Sequence, residues 1–350
     1  MRARTKGVVA GLVALGGLVV FMVWNVPRQP VYQGRALEEW LGDLSNGNYR
    51  TQQMARTAIR AMGPAAVPFL TNSLAQRNAL SVRLLRKSFL PRKLVSFAHR
   101  VIKPGTPMLE SRNAAVALQE LGPDAKEAVP ALVAAVREGM TSVSSPAASA
   151  LGAMGSNAVP AIAEELAKAN LKEVPSFLQS VTIIGTNAAP LAPQIAPMLE
   201  DKQLWPYARM ALARIGRAAV PPVTNILSGT NRMAKSHALE TLTQIGVAAT
   251  SATNMILSFV TNEDADLRLE ARRAYNSTLP TREDSAPIWL EGLKDSDPRS
   301  VELSIHLLTI YPSNVRIYSN EIAALATHPM NSIRETASNA LTLTRSWPKK

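Results

Sequence analysis

One motif returns through most of this chain and limits what the chain can fold into. In Ala211-Leu-Ala-Arg-Ile-Gly-Arg-Ala-Ala-Val-Pro-Pro222 an apolar helical run meets a glycine; a small residue stands three positions later and proline five. The apolar–glycine pair recurs at Met62-Gly63, Leu121-Gly122, Met154-Gly155, Ile184-Gly185, Ile215-Gly216 and Ile245-Gly246, at intervals of 59, 33, 30, 31 and 30 residues. The first interval is two periods, or one period and an insertion. Self-similarity at a fixed period of this size marks a stacked array, because one such unit cannot bury its own apolar face.

The motif has a local physical reading. Glycine closes a helix C-terminus by taking a left-handed conformation without a Cβ penalty. Proline in the first helical turn loses a hydrogen bond that the helix does not make, and it pre-sets φ. Pro68, Pro160, Pro190 and Pro221 stand five residues after their glycines; Ser251 replaces the last, and Pro130 is displaced by three residues. Ala66, Ala158, Ala188, Ala219 and Ala249, three after the glycine, leave room for close approach between neighbours. Upstream, Ala208, Ala211, Leu212 and Ile215 follow i, i+3, i+4, i+7 spacing and predict an amphipathic helix. Each period of about 30 residues thus holds two short helices, about nine pairs in all.

A second signature marks the other turn. Asn48-Tyr-Arg50, Asp266-Leu-Arg268 and Asp297-Pro-Arg299 put an N-cap residue two before an arginine, and Asn331-Ser-Ile-Arg334 is a longer version. These arginines read as a ladder reaching acids or carbonyls of adjacent repeats. The turn glycine is lost near the end, where Asn276-Ser-Thr278 and Tyr311-Pro-Ser313 stand at the expected places. At the other end Leu37, Trp40, Leu41 and Leu44 share a helical face that would close the core.

These turns resemble the HEAT-repeat family in its short bacterial form, over about residues 40 to 345. The segment Tyr32-Gln-Gly-Arg-Ala-Leu-Glu-Glu-Trp-Leu41 also looks like a lead-in of membrane-anchored HEAT-repeat proteins. The resemblance implies an all-α fold, an α-solenoid made of a superhelical stack of antiparallel helix pairs. It implies a non-enzymatic scaffold that binds protein partners through a concave groove, with no cofactor. Some HEAT-like proteins are enzymes, including DNA glycosylases and bilin lyases, so an enzyme with an unlocated concave-face site is a second alternative.

Charge and hydropathy divide the chain further. Val8 to Trp24 holds no charge, and Gly7 to Val26 is broken only by Asn25. Twenty helical residues span about 30 Å, one hydrocarbon thickness. Arg2, Arg4 and Lys6 precede the stretch, so residues 1–27 predict a signal anchor with its N-terminus in the cytoplasm. Residues 28–350, the repeat array, would then lie on the extracytoplasmic, periplasmic side; secretion after cleavage is the alternative, although Met22-Val-Trp-Asn-Val-Pro27 offers no small-x-small site.

The net charge of +12 sits entirely in residues 1–30 and in an acid-free insertion at about residues 77–109, so the rest of the chain is balanced. Within the insertion Arg83, Arg86, Lys87, Arg92, Lys93, Arg100 and Lys103 are candidate contacts to an anionic surface or polymer, such as lipid headgroups. The competing reading is a divergent repeat with a solvated basic face. Nucleic acid is not an expected partner, since no base-reading motif is present.

Nothing in the sequence assembles a reactive centre. Cys is absent, and His99, His237, His306 and His328 stand alone, without a second ligand at metal-binding spacing. His237 reads as a surface or half-buried helix residue and His306 as a satisfied core histidine. Glu38-Glu39, Glu164-Glu165 and Glu263-Asp264 are adjacent in sequence, so on a helix the members of each pair point about 100° apart and do not converge.

Overall fold

The computed structural model describes residues 29–45, 47–75, 107–137, 141–168, 172–279, 286–310 and 317–345. The expected anchor in residues 1–27, the basic residues Arg83 to Lys103 and Tyr311-Pro-Ser313 lie outside the described residues. Among the described residues no helix is long and apolar enough to cross a membrane. Chain contacts divide the protein into two compact units, Met1–Asp124 and Ala125–Lys350.

The first unit begins with something helical periodicity does not signal, a two-stranded antiparallel hairpin of β1 (Val31–Tyr32) and β2 (Arg35–Ala36). Gln33 and Gly34 at its tip have φ of 50° and 77°, as a tight two-residue turn of this hand requires. Helix α1 (Leu37–Asp43) follows. The Arg35 guanidinium stacks 3.9 Å over the Trp40 ring, and the Trp40 indole N–H donates to the Tyr32 carbonyl at 3.3 Å. Trp40 is buried against Ala55 and Ala58 of α2 (Tyr49–Met62), so the lead-in does cap an apolar cluster. Leu37 is buried with it, whereas Leu41 and Leu44 are only half-buried.

Helices α3 (Val67–Ala75) and α4 (Pro107–Leu121) complete this unit. Asn113 of α4 accepts from the Ser45 hydroxyl at 2.7 Å and donates to the Leu41 carbonyl at 2.9 Å. Glu120, nearly sealed from solvent, pairs with Arg56 and Arg60 of α2.

The second unit runs α5 (Val129–Arg137), α6 (Thr141–Ala153), α7 (Val159–Ala167), α8 (Val174–Ile184), α9 (Ala192–Ile195), α10 (Trp205–Ile215), α11 (Val220–Leu227), α12 (Arg232–Ile245), α13 (Thr253–Leu257), α14 (Ala265–Thr278), α15 (Ala286–Gly292), α16 (Pro298–Thr309), α17 (Ser319–Ala324) and α18 (Asn331–Arg345). The first helices α6, α8, α10, α12 and α14 pack side by side, and each second helix packs onto the next first helix. This is the stacked-pair arrangement of a solenoid.

Between α10 and α11 the motif acts much as its chemistry dictates, with one correction. The Gly216 N–H still donates to the Leu212 carbonyl, finishing α10. Its φ and ψ are 75° and −132°, a positive-φ region reserved for glycine but not the left-handed helical one. The chain then winds one tight 3-10 turn, Gly216–Ala219, and enters α11 with Pro221 in its first turn. Ala66, Ala158, Ala188, Ala219 and Ala249 are all fully buried in these turns, and in the second unit successive turns touch.

Where the glycine is missing, α14 continues to Thr278 and leaves through extended Leu279, with φ −76° and ψ 137°. The C-terminal pairs use larger side chains for their core: Trp289, Ile305, Leu308, Ile322 and Ile333 are all buried. A large apolar side chain buried in this way contributes about 1.5–3 kcal/mol.

Candidate interaction surface

Each first helix buries one face against its neighbours and leaves a strip three residues apart on the other. Counted back nine, six and three from the turn glycine, that strip is Ser176, Gln179 and Thr182 in α8 and Tyr207, Met210 and Ala213 in α10. In α12 the same positions are His237, Glu240 and Thr243, of which His237 is buried, so the open strip there is Glu240 and Thr243. The strip's chemistry therefore changes from amide to apolar to charged along three successive pairs.

Between α8 and α10 the strip opens into a groove of about 330 Å³, lined by Pro175, Ser176, Gln179, Thr182, Tyr207 and Met210. Tyr207 and Met210 are 46% and 50% exposed. Two large apolar side chains held open in one groove on rigid helices differ from isolated surface apolar residues, which need no explanation. On the α6 side, Gln179 donates its amide to the Ser149 hydroxyl at 3.1 Å, which fixes the head of that side chain.

Next to the groove the surface is stiff and polar. The Trp205 and His237 rings stack in parallel with centroids 4.0 Å apart, and His237 Nδ1 lies 2.8 Å from the Leu199 carbonyl oxygen. His237 is thus buried between α10 and α12, not the surface or half-buried residue expected. His306, expected in the core, is exposed on α16. Arg209 reaches over Trp205 and approaches Glu240 at 3.7 Å. Burial pushes the Glu270 carboxyl of α14 above its ordinary range; Arg273 opposes this and Glu240 adds to it.

The expected arginine ladder is present at the N-termini of α12, α14 and α16. Arg232 bonds Asp264 and lies 2.6 Å from Asp266; Asp266 lies 2.7 Å from Arg299, and Arg299 lies 2.8 Å from Asp297. Deeper in, Arg268 forks onto Asp295 at 2.7 and 2.8 Å, and Arg272 bonds the same carboxylate and the Ser300 hydroxyl.

Asn48 and Asp297 are N-caps, as the sequence suggests. Asp266 is not: Asp264 caps α14, and Asp266 sits in its first turn as a rung of the ladder. The Arg334 guanidinium stays local, donating to the His328 and Pro329 carbonyls. Arg232, Arg268 and Arg299 thus join one repeat to the next, whereas Arg334 stays within its own turn and Arg50 is exposed at the start of α2.

The candidate anionic-surface residues Arg83, Arg86, Lys87, Arg92, Lys93, Arg100 and Lys103 lie outside the described residues, so the structure brings none of them to a site. Among the described residues no three of His, Asp and Glu form a group able to hold a metal ion. Sequence reasoning missed the groove because Tyr207 and Met210 have the same spacing as core residues; only the rotation of α10 against α8 and α12 exposes them.

No protein-family model and no curated protein matches the sequence. Solved structures do resemble the fold. Karyopherin Kap121p bound to Ste12p matches with a TM-score of 0.51 and 11% identity over 89% of this chain, which spans 38% of that protein's length. Kap121p bound to Pho4p matches with a TM-score of 0.50 and 11% identity over the same shares. An archaeal HEAT-like repeats protein from Thermococcus onnurineus NA1 is 15% identical over 71% of this chain and 97% of its own, with a TM-score of 0.34. At these identities the likeness to the two Kap121p structures is one of fold, an array of stacked helix pairs.

Proposed function

We propose that the protein is a non-enzymatic interaction scaffold of the HEAT-repeat type, docking a protein partner along the outer strip of α8, α10 and α12. The observation that carries the reading is the groove between α8 and α10, with Tyr207 and Met210 half exposed on a rigid wall. A buried aromatic or apolar anchor in a preformed pocket typically dominates an interface. The Kap121p structures, a fold likeness only, were solved with protein partners bound. Residues 1–27 would tether the array to a membrane and hold it on the periplasmic side, a reading supported by the uncharged run Val8 to Trp24 behind three basic residues.

The test is site-specific photocrosslinking of the full chain in its native membrane. A crosslinker at position 207 or 210 should give one defined adduct. The same group at Ser156, exposed in the turn after α6, should give none. Met210→Glu should abolish the adduct formed at 207. Equal products from both faces, or an adduct indifferent to Met210→Glu, would overturn the proposal. A reporter fused after Lys350 tests the tether: activity only in a periplasmic assay supports it, and cytoplasmic activity refutes it.

The charge of the 77–109 segment supports a second reading, contact with an anionic surface. Binding to vesicles of anionic lipid should then fall steeply from low to physiological salt, and vanish when Arg83, Arg86, Lys87, Arg92 and Lys93 become Ser. Salt-independent binding removes this reading.

A further inference from the structure

Comparing repeats position by position exposes one residue that breaks the rule of its place. Ten residues after the turn glycine stand Ile195, Ile226 and Ile256 in three consecutive repeats; in the repeat before them the same position is Glu165. Ile195 and Ile256 are fully buried and Ile226 is half-buried, and the Glu165 side chain is only 7% exposed. Putting a carboxylate where packing calls for isoleucine carries a desolvation cost that a buried ion pair does not reliably recover. Departures of this kind are expected at functional positions.

Glu165 lies in the wall of a cavity of about 390 Å³ between the ends of α5 and α7 and the start of α8. That volume is within the range of small-molecule sites. Lys168 Nζ donates to Glu165 Oε1 at 2.8 Å and to Glu164 Oε1 at 2.9 Å. On the other side Arg137 Nε lies 3.5 Å from Glu165 Oε2. Glu165 therefore holds two cationic side chains at the cavity, through Nε in the case of Arg137, so that the terminal nitrogens of its guanidinium extend beyond the contact.

An opposite charge lines the same space. Glu173 is the N-cap residue of α8, yet its carboxylate makes no capping hydrogen bond. Exposed Ala134, with the edges of the otherwise buried Val174 and Phe177, supplies an apolar wall. Among the described residues the cavity thus offers a guanidinium end and a carboxylate that carry no further hydrogen bond, and an apolar surface.

We infer that this cavity is a binding site for a small zwitterion, a free α-amino acid with an apolar side chain. Its carboxylate meets Arg137, its ammonium meets Glu173, and its side chain lies against Ala134 and the edges of Val174 and Phe177. Glu165 is a positioning residue that holds Arg137 and Lys168 in place. A simple anion would face Glu173 and a simple cation would face Arg137 and Lys168, so a ligand carrying both charges matches the lining best. The site is independent of the groove between α8 and α10.

Calorimetric titration and thermal shift on the full chain in detergent micelles test this, with L-leucine and L-phenylalanine as probes and isovalerate and isoamylamine as single-charge controls. The amino acids should bind, and each control should be weaker by roughly tenfold or more, the factor that loss of one charged contact entails. Arg137→Gln and Glu173→Gln should each weaken the amino acid by a similar factor, while Arg137→Gln leaves isoamylamine unaffected.

Glu165→Ile separates site from scaffold. It should hold or raise the melting temperature, as its three isoleucine counterparts suggest, and lose ligand binding. No binding of either amino acid at ten millimolar, or controls binding as well as amino acids, would overturn the proposal. So would a Glu165→Ile variant that melts lower yet binds unchanged.

Discussion

Replacing Gly216 with alanine isolates the physics of the recurrent turn. An added Cβ at Gly216 would meet no atom within 4 Å, so Gly216→Ala introduces no collision. What it changes is the backbone: φ of 75° with ψ of −132° is a conformation that L-side chains rarely adopt. Holding a residue there costs on the order of 1–3 kcal/mol. Alanine also restricts the unfolded chain, which returns about 0.4–1 kcal/mol. At the midpoints of these ranges the net expectation is destabilisation of about 1.3 kcal/mol, a fall in melting temperature of roughly 3–5 °C for a unit of this size.

Gly42→Ala is the matched control. Its Cβ also meets nothing within 4 Å, but Gly42 is inside α1 with an ordinary helical φ. There alanine should stabilise by about 0.5–1 kcal/mol, the helix-propensity difference. The assay is urea unfolding followed by circular dichroism, with native-state hydrogen exchange to localise the loss to α10 and α11, since long arrays need not unfold in two states. Opposite signs for the two variants are required. If Gly216→Ala is neutral or stabilising, the turn does not depend on positive φ and the physical basis given for the repeat is wrong.

Three further predictions come from the ladder and the ring stack. Asp295→Asn leaves Arg272, whose side chain is 5% exposed, buried without its carboxylate; the cost should be about 3–5 kcal/mol, seen as lost amide protection in α14 and α16, and unaltered protection there would refute it. The bond from Arg232 holds the Asp264 carboxyl down at about 2; Asp295 is pushed up by burial but carried well below the usual range by Arg268, the Asp297 N–H and Arg272. Depressed folded values stabilise above the unfolded pKa near 3.9. Through these two carboxylates this region should weaken as pH falls from about 4 towards 2, while the raised Glu270 acts in the opposite sense and costs stability as pH rises above the ordinary carboxylate range; a loss on lowering pH from 7 to 5 equal to that from 4 to 2 would contradict the assignment. His237→Ala removes the stack on Trp205 and the hydrogen-bond partner of Leu199, costing about 2–3 kcal/mol, whereas His237→Phe keeps the stack and should cost about 1 kcal/mol in urea unfolding; equal losses would sink that partition.

The motif Gly216, Ala219 and Pro221 was legible because every term in it is local: a backbone angle, a missing side chain, a missing N–H. The same holds for the caps Asn48 and Asp297, since a capping side chain reaches only its own helix. Asp266 shows the limit, because two acids two residues apart satisfy the cap pattern about equally, and only the path of the turn gives the cap to Asp264. The lost glycine at Asn276-Ser-Thr278 was legible too, and its effect is an extended exit at Leu279.

The two misread histidines mark where local reasoning ends. His237 and His306 both lie on amphipathic helices, and periodicity says that a helix has an inner face but not how wide it is. Trp205 and the Leu199 carbonyl, one repeat earlier, bury His237, while His306 on α16 is exposed among the described residues. The cavity at Glu165 lies between these cases. Its signal, a carboxylate at an isoleucine position, was in the aligned repeats, but which charges share that space depends on how α5, α7 and α8 meet.

By itself, then, the sequence determined the period, the turn chemistry and the helical class, because glycine, alanine and proline act within a few residues of themselves. The tertiary structure alone decided which three-residue strip of each helix stays open and which charges find partners a repeat away. Those outcomes depend on the angle between neighbouring helices, and that angle is set by the combined packing of side chains some thirty residues apart.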